Sequence, residues 1–232
     1  MRWVAEVGLS ELNALQTALE RAVPNRFGAL SNGKSTERPD SCITWAALRN
    51  RGYRALPHSE RAADIDAHLH CVALTWLQQA QPATTSHLRD VAWSADIRNV
   101  LPARISDPCT DPSAGNAAQH LTLAALMPDS TATPDSTHRG LRIDIPEAWS
   151  LLVRPLAWAD FNKDGLEDVL VAVDLDDHLQ YRDALLLLLS RNQADGKLQL
   201  LEASCSWQPT VPSPRSPSAS DVGSAGATPK QP

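Results

Sequence analysis

The spacing of apolar residues divides the chain into a helical front and a strand-rich back. In "SELNALQTALERAV", residues 10–23, Leu12, Leu15, Leu19 and Val23 recur at helical intervals behind Ser10, a capping residue, and Pro24 ends the run. One amphipathic helix is predicted there. Residues 25–41 are rich in Asn, Gly, Ser and Thr and contain Pro39, the composition of a loop or linker. From Ser59, "SERAADIDAHLHCVALTWLQQAQ" sets Ile65, Leu69, Val72 and Trp76 on one helical face before Pro82, with Cys71 beside that face. "SHLRDVAW", residues 86–93, suggests a shorter helix. Residues 107–138 are dominated by Pro, Asp, Ser and Thr, apart from "LTLAALM", and read as loop.

The pattern changes at Leu141. "LRIDI" alternates apolar and polar, "SLLVRPLAW" is mostly apolar, and "DVLVAVDL", "YRDALLLLLS" and "KLQLLEA" follow. These are strand signatures, expected to pair antiparallel through hairpins, with Asp195-Gly196 supplying a turn because Gly accepts positive φ. Beyond Trp207, "QPTVPSPRSPSASDVGSAGATPKQP" has too few apolar residues to offset the entropy of ordering. The expected fold class is α+β, N-terminal helices packed with a small antiparallel β-sheet that carries one calcium-binding loop. The expected division is 1–40 as helix and linker, 41–207 as an α+β domain with C-terminal hairpins at 141–203, and 208–232 as a disordered tail.

Composition narrows the classes. The chain has 232 residues, 43% of them hydrophobic, which is enough for a core. Its net charge of -6 and the lack of any basic run argue against a nucleic-acid partner. "DALLLLL", residues 183–189, is too short to cross a bilayer as a helix and reads as a buried strand, so no membrane span is expected. "MRWVAEVGLSELNAL" is interrupted by Glu6 and Glu11 and lacks the apolar run of a signal peptide. Cys42, Cys71, Cys109 and Cys205 are too scattered for a zinc site; they permit either two disulfides in an oxidising compartment or four free thiols in the cytoplasm.

The densest chemistry lies in "DFNKDGLED", residues 160–168. Asp160, Asn162, Asp164 and Asp168 occupy alternate or near-alternate positions, with the Leu166 carbonyl between them and Gly165 allowing a sharp turn. Hard cations such as Ca2+ take oxygen ligands in this arrangement. An EF-hand or dockerin would also need an acidic residue at the twelfth position, which is Val171, inside a strand-like run. A metal-free Asx turn uses the same residue types, but three neighbouring carboxylates repel one another without a counter-ion. The downstream residues Asp174, Asp176, Asp177 and His178 could add a second site.

Asp160, Phe161, Asn162, Asp164, Gly165 and Asp168, followed by Val169 and Leu170, resemble the calcium loop of FG-GAP and VCBS-type repeats, found in integrin-like β-propellers and many bacterial exported proteins. The resemblance spans residues 155–175, a single unit. It implies a loop joining two antiparallel strands around a structural ion held by Asp160, Asn162, Asp164, Leu166 and Asp168. With no second copy of the motif, it does not imply a propeller.

Other motifs are weaker. "GALSNGKS", residues 28–35, fits the P-loop expression, but no buried strand precedes it and Pro39 would interrupt the helix that must follow. In "HLHC", residues 68–71, the two histidines are expected on the surface beside a buried Cys71. No nucleophile elbow is present. The function expected is a non-catalytic, calcium-stabilised binding protein with a protein partner, placed in the periplasm or outside the cell, for example an inhibitor or immunity-type protein. The alternatives are a hydrolase using the acidic cluster at Asp174–Asp177, and a cytoplasmic protein with an empty loop.

Overall fold

The computed structural model describes residues 27–55, 60–89, 91, 93–106, 109, 121–136, 140–146, 149–176 and 182–205. The helix expected at 10–23 and the tail expected at 208–232 lie outside the described residues.

The first element is a small antiparallel sheet of β1 (Leu30–Ser31), β2 (Thr36–Glu37) and β3 (Arg54–Ala55), in the order β2-β1-β3. It occupies part of the stretch expected to be a linker, and Phe27 and Leu30 are buried in the core. Asn32 Oδ1 accepts hydrogen bonds from the N–H groups of Lys34 and Ser35, and Gly33 takes φ 83°, so a local polar turn closes β1 onto β2. The sequence that fits a P-loop is therefore a hairpin, and no helix starts at Lys34 to receive phosphate.

Helix α1 (Cys42–Asn50) starts at a capping box: Ser41 Oγ accepts from Thr44 N–H, and Thr44 Oγ1 accepts from Ser41 N–H. Helix α2 (Arg61–Gln79) is the long helix expected from apolar spacing. Cys42 at the head of α1 is disulfide-bonded to Cys71 in the middle of α2, closing a 29-residue separation. Chain entropy alone makes that crosslink worth about 3 to 4 kcal/mol. Cys109 is disulfide-bonded as well.

After α2, the described residues among 86–93 do not form the short helix expected. Short 3-10 turns appear instead at Ala95–Asn99 and Ala103–Ser106, followed by a single helical turn, α3 (Leu123–Leu126). The back of the molecule is a six-stranded antiparallel meander in sequence order: β4 (Thr131–Asp135), β5 (Gly140–Asp144), β6 (Ser150–Ala159), β7 (Asp168–Asp176), β8 (Arg182–Ser190) and β9 (Gln199–Cys205). The fold is α+β. Strand β4 falls within a stretch read as loop, because Thr131-Ala-Thr-Pro-Asp135 buries only Ala132 and shows no apolar alternation. Asp195-Gly196 lies between β8 and β9 as expected, but Gly196 is not among the positive-φ glycines.

Both faces of the sheet are covered. Val169, Val171 and Val173 of β7, with Leu185, Leu187 and Leu189 of β8, pack against Ile97, Leu101, Ile105 and Leu123. Leu170, Ala172, Leu186 and Leu188 face Trp45, Leu74 and Leu77 of the helical layer. Two covered faces explain the five consecutive leucines, since Leu185 to Leu189 are buried on both sides of β8. Pro155, which has no N–H to donate, sits at a register shift between β6 and β7, the place where an interior strand tolerates proline.

Candidate functional site

Strands β6 and β7 are joined by the acidic loop. Asp160 follows the last residue of β6 and Asp168 opens β7, so the sheet fixes both ends of the loop. Both carboxylates are buried, at 3% and 0% exposure. Asp160 organises the turn: Oδ1 accepts from the N–H groups of Lys163 (2.7 Å) and Asp164 (3.2 Å), and Oδ2 from Gly165 (2.9 Å). The chain can fold this tightly because Lys163 adopts φ 67° and Gly165 φ 86°, the latter a conformation natural to glycine.

Asp168 is different. Its Oδ2 accepts from Phe161 N–H at 3.0 Å, while its Oδ1 is buried without a hydrogen-bond partner. Burial pushes this carboxyl above the usual aspartate range, opposed by the neighbouring Ser190 hydroxyl and by the Phe161 N–H, and reinforced by the charge on Asp164. Ser190 stands across from Asp168 in the β7–β8 register and its buried hydroxyl is the side-chain donor beside the carboxylate, although the contact falls short of full hydrogen-bond geometry.

The remaining loop residues are more exposed. Asp164 Oδ1 accepts from Leu166 N–H at 2.8 Å, its Oδ2 from the Asn162 amide at 2.8 Å, and Asn162 Oδ1 from Asp164 N–H at 3.1 Å. Among the described residues, no three His, Cys, Asp or Glu side chains converge as a ready-made metal cluster. The loop thus combines an Asx-type turn with a buried carboxylate oxygen, Asp168 Oδ1, that stands beside the Ser190 hydroxyl without a full hydrogen bond to it. A carboxylate has about four acceptor sites, so Asp160 and Asp168 both retain capacity for a further donor or a cation.

One contact set around the loop was not foreseen. The segment after α2, Gln81–Ser86, runs alongside it: Gln81 and Asp160 exchange two backbone hydrogen bonds of 2.8 Å, and Thr84 N–H and Thr85 N–H both donate to the Gly165 carbonyl. Thr84 Oγ1 donates to the same carbonyl at 2.9 Å, Glu167 N–H donates to the Thr85 carbonyl at 2.8 Å, and Ser86 Oγ donates to Glu167. Consecutive small hydroxyl residues after a helix are the only sequence sign of it.

The downstream acidic cluster is divided. Asp174 is ion-paired with Arg154 at 2.6 Å. Asp177 and His178 lie outside the described residues, and for Asp176 only the backbone in β7 is described.

The "HLHC" histidines correct the surface expectation, since His68 and His70 are both buried. His68 Nε2 lies 3.0 Å from Ser204 Oγ in β9, and its ring meets the Trp45 indole edge-on at 5.8 Å. Burial drives its pKa down to about 4, a hydrogen bond to Ser204 opposing and the Arg49 charge adding. One turn earlier, buried Asp64 accepts from Trp45 Nε1 at 2.8 Å and pairs with Arg49 at 3.1 Å. Polar partners on α1 and β9 thus let polar residues occupy the inner face of α2, while Ile65 and Leu69 are only half-buried. Ser204 and His68 are a hydroxyl and a base in contact, but each is about 5% exposed or less, so a substrate has no route to them.

No family model, no curated protein and no solved structure matches the chain. No helix among the described residues is long and apolar enough to cross a membrane.

Proposed function

We propose that this is a non-catalytic binding protein stabilised by calcium, in which Asp160, Asn162, Asp164, Asp168 and the Leu166 carbonyl hold Ca2+ and lock the β6–β7 hairpin. The observation that carries this reading is the buried Oδ1 of Asp168, which has the Ser190 hydroxyl beside it but no full hydrogen bond. An ionised carboxylate in that position costs several kcal/mol of desolvation unless a cation or donor compensates it. A bound calcium ion supplies that positive charge, and the likeness of residues 155–175 to an FG-GAP-type loop supports the same ligand set.

The disulfide-bonded Cys42, Cys71 and Cys109 favour an oxidising compartment, the periplasm or the exterior, where calcium is abundant enough for a site of roughly 10⁻⁴ to 10⁻³ M affinity. The partner we infer is a protein, capped or bound by the rigid sheet in the manner of an inhibitor. A hydrolase built on Asp174 is less well supported, because that carboxylate is already paired with Arg154.

Trp158 lies two residues before Asp160. Terbium bound in the loop should therefore show indole-sensitised emission, displaced by calcium and abolished in Asp164→Ala. Wild-type protein that gives no such emission would rule the reading out.

A further inference from the structure

We infer that the segment Gln81–Ser86 is the positioning arm of the cation site, aiming the Leu166 carbonyl into the loop; this rests on the calcium reading above. The geometry follows from peptide planarity, because the C=O and N–H of one trans peptide point in opposite directions. Glu167 N–H points at the arm, donating to Thr85 O at 2.8 Å, so the Leu166 carbonyl of the same peptide points away from the arm, towards the loop side. The preceding peptide obeys the same logic. Its Gly165 carbonyl faces the arm and accepts from Thr84 N–H, Thr85 N–H and Thr84 Oγ1, while its Leu166 N–H turns the other way and donates to Asp164 Oδ1 at 2.8 Å.

Two side chains set the arm's grip. Thr84 Oγ1 holds Gly165, where an added Cβ would meet that oxygen at 3.1 Å, and Ser86 holds Glu167, the residue next to Asp168. The Gln81–Asp160 backbone pair anchors the other end, directly after α2. Neither Thr84 nor Ser86 belongs to the proposed ligand set; Thr84 acts through the Gly165 carbonyl it holds, and Ser86 through the Glu167 side-chain carboxylate. Orientation fixed before binding lowers the cost of ordering a ligand, and cation affinity should depend on these hydroxyls.

The test is a terbium titration of the full chain, read by Trp-sensitised emission, on wild type, Thr84→Ser and the double variant Thr84→Val/Ser86→Ala. Loss of two hydrogen bonds should weaken the double variant's Kd roughly tenfold, while Thr84→Ser, which keeps the hydroxyl, stays near wild type. A double variant with wild-type Kd but a lower melting temperature in chelator would show that the arm only packs, and would overturn the inference while leaving the calcium reading intact. Wild-type protein without emission would overturn both. Thr84 is exposed, so the single variant Thr84→Val provides the same comparison if the double variant does not fold.

Discussion

Two regions of this protein bury charge, and they balance it differently. Between α1, α2 and β9, Asp64 meets Trp45 and Arg49 through both of its oxygens, and His68 is kept neutral beside Ser204. At the end of β6, Asp160 likewise accepts three backbone N–H bonds, but Asp168 keeps one oxygen short of a full hydrogen bond. In the first region Asp64, Arg49 and His68 are all paired. The second leaves a buried carboxylate oxygen short of a full hydrogen bond, and for that reason we propose cation binding at the loop rather than at the more elaborate polar cluster.

If the helical cluster is self-contained, breaking it should be costly and indifferent to calcium. Asp64→Ala removes the carboxylate that the buried Arg49 guanidinium and Trp45 N–H share, and should lower stability by about 3 to 5 kcal/mol. Urea denaturation with and without calcium should give the same loss; a loss that calcium repairs would mean the two regions are not separate.

The same cluster should make the fold acid-sensitive. His68 has its pKa depressed to about 4 in the folded protein against 6.5 ordinarily, so the unfolded chain takes up its proton first. Its contribution is therefore fully present above about pH 6.5 and is lost as pH falls towards 4, a change of roughly 3 kcal/mol. His68→Gln should flatten that part of the stability–pH curve. An unchanged slope would assign the sensitivity to another group.

How much of this was legible in the sequence follows the same division. The loop was readable because Asp160, Asn162, Asp164 and Gly165 act on backbone atoms within five residues, and local order survives in a linear string. Strands β5 to β9 were readable from apolar runs. The arm at Gln81–Ser86 was not, since its partners lie about 80 residues away and its own residues carry no periodic signal. Nor was the inner face of α2: apolar spacing favoured Ile65 and Leu69, whereas the buried positions include Asp64 and His68, whose polar partners come from other elements. The Cys42–Cys71 pairing needed spatial proximity that four isolated cysteines do not encode.

The loop side of the comparison is tested most directly by Asp168→Asn, with stability measured in chelator and in calcium at about 100 times its Kd. In calcium, wild type should gain roughly 2.7 kcal/mol. The Asn variant loses the buried charge and keeps a polar group opposite Ser190 Oγ, so in chelator it should be about 1 kcal/mol more stable than wild type, with most of the calcium response gone. Wild type indifferent to calcium, with the Asn variant less stable than wild type in chelator, would contradict the claim that Asp168 waits for a cation.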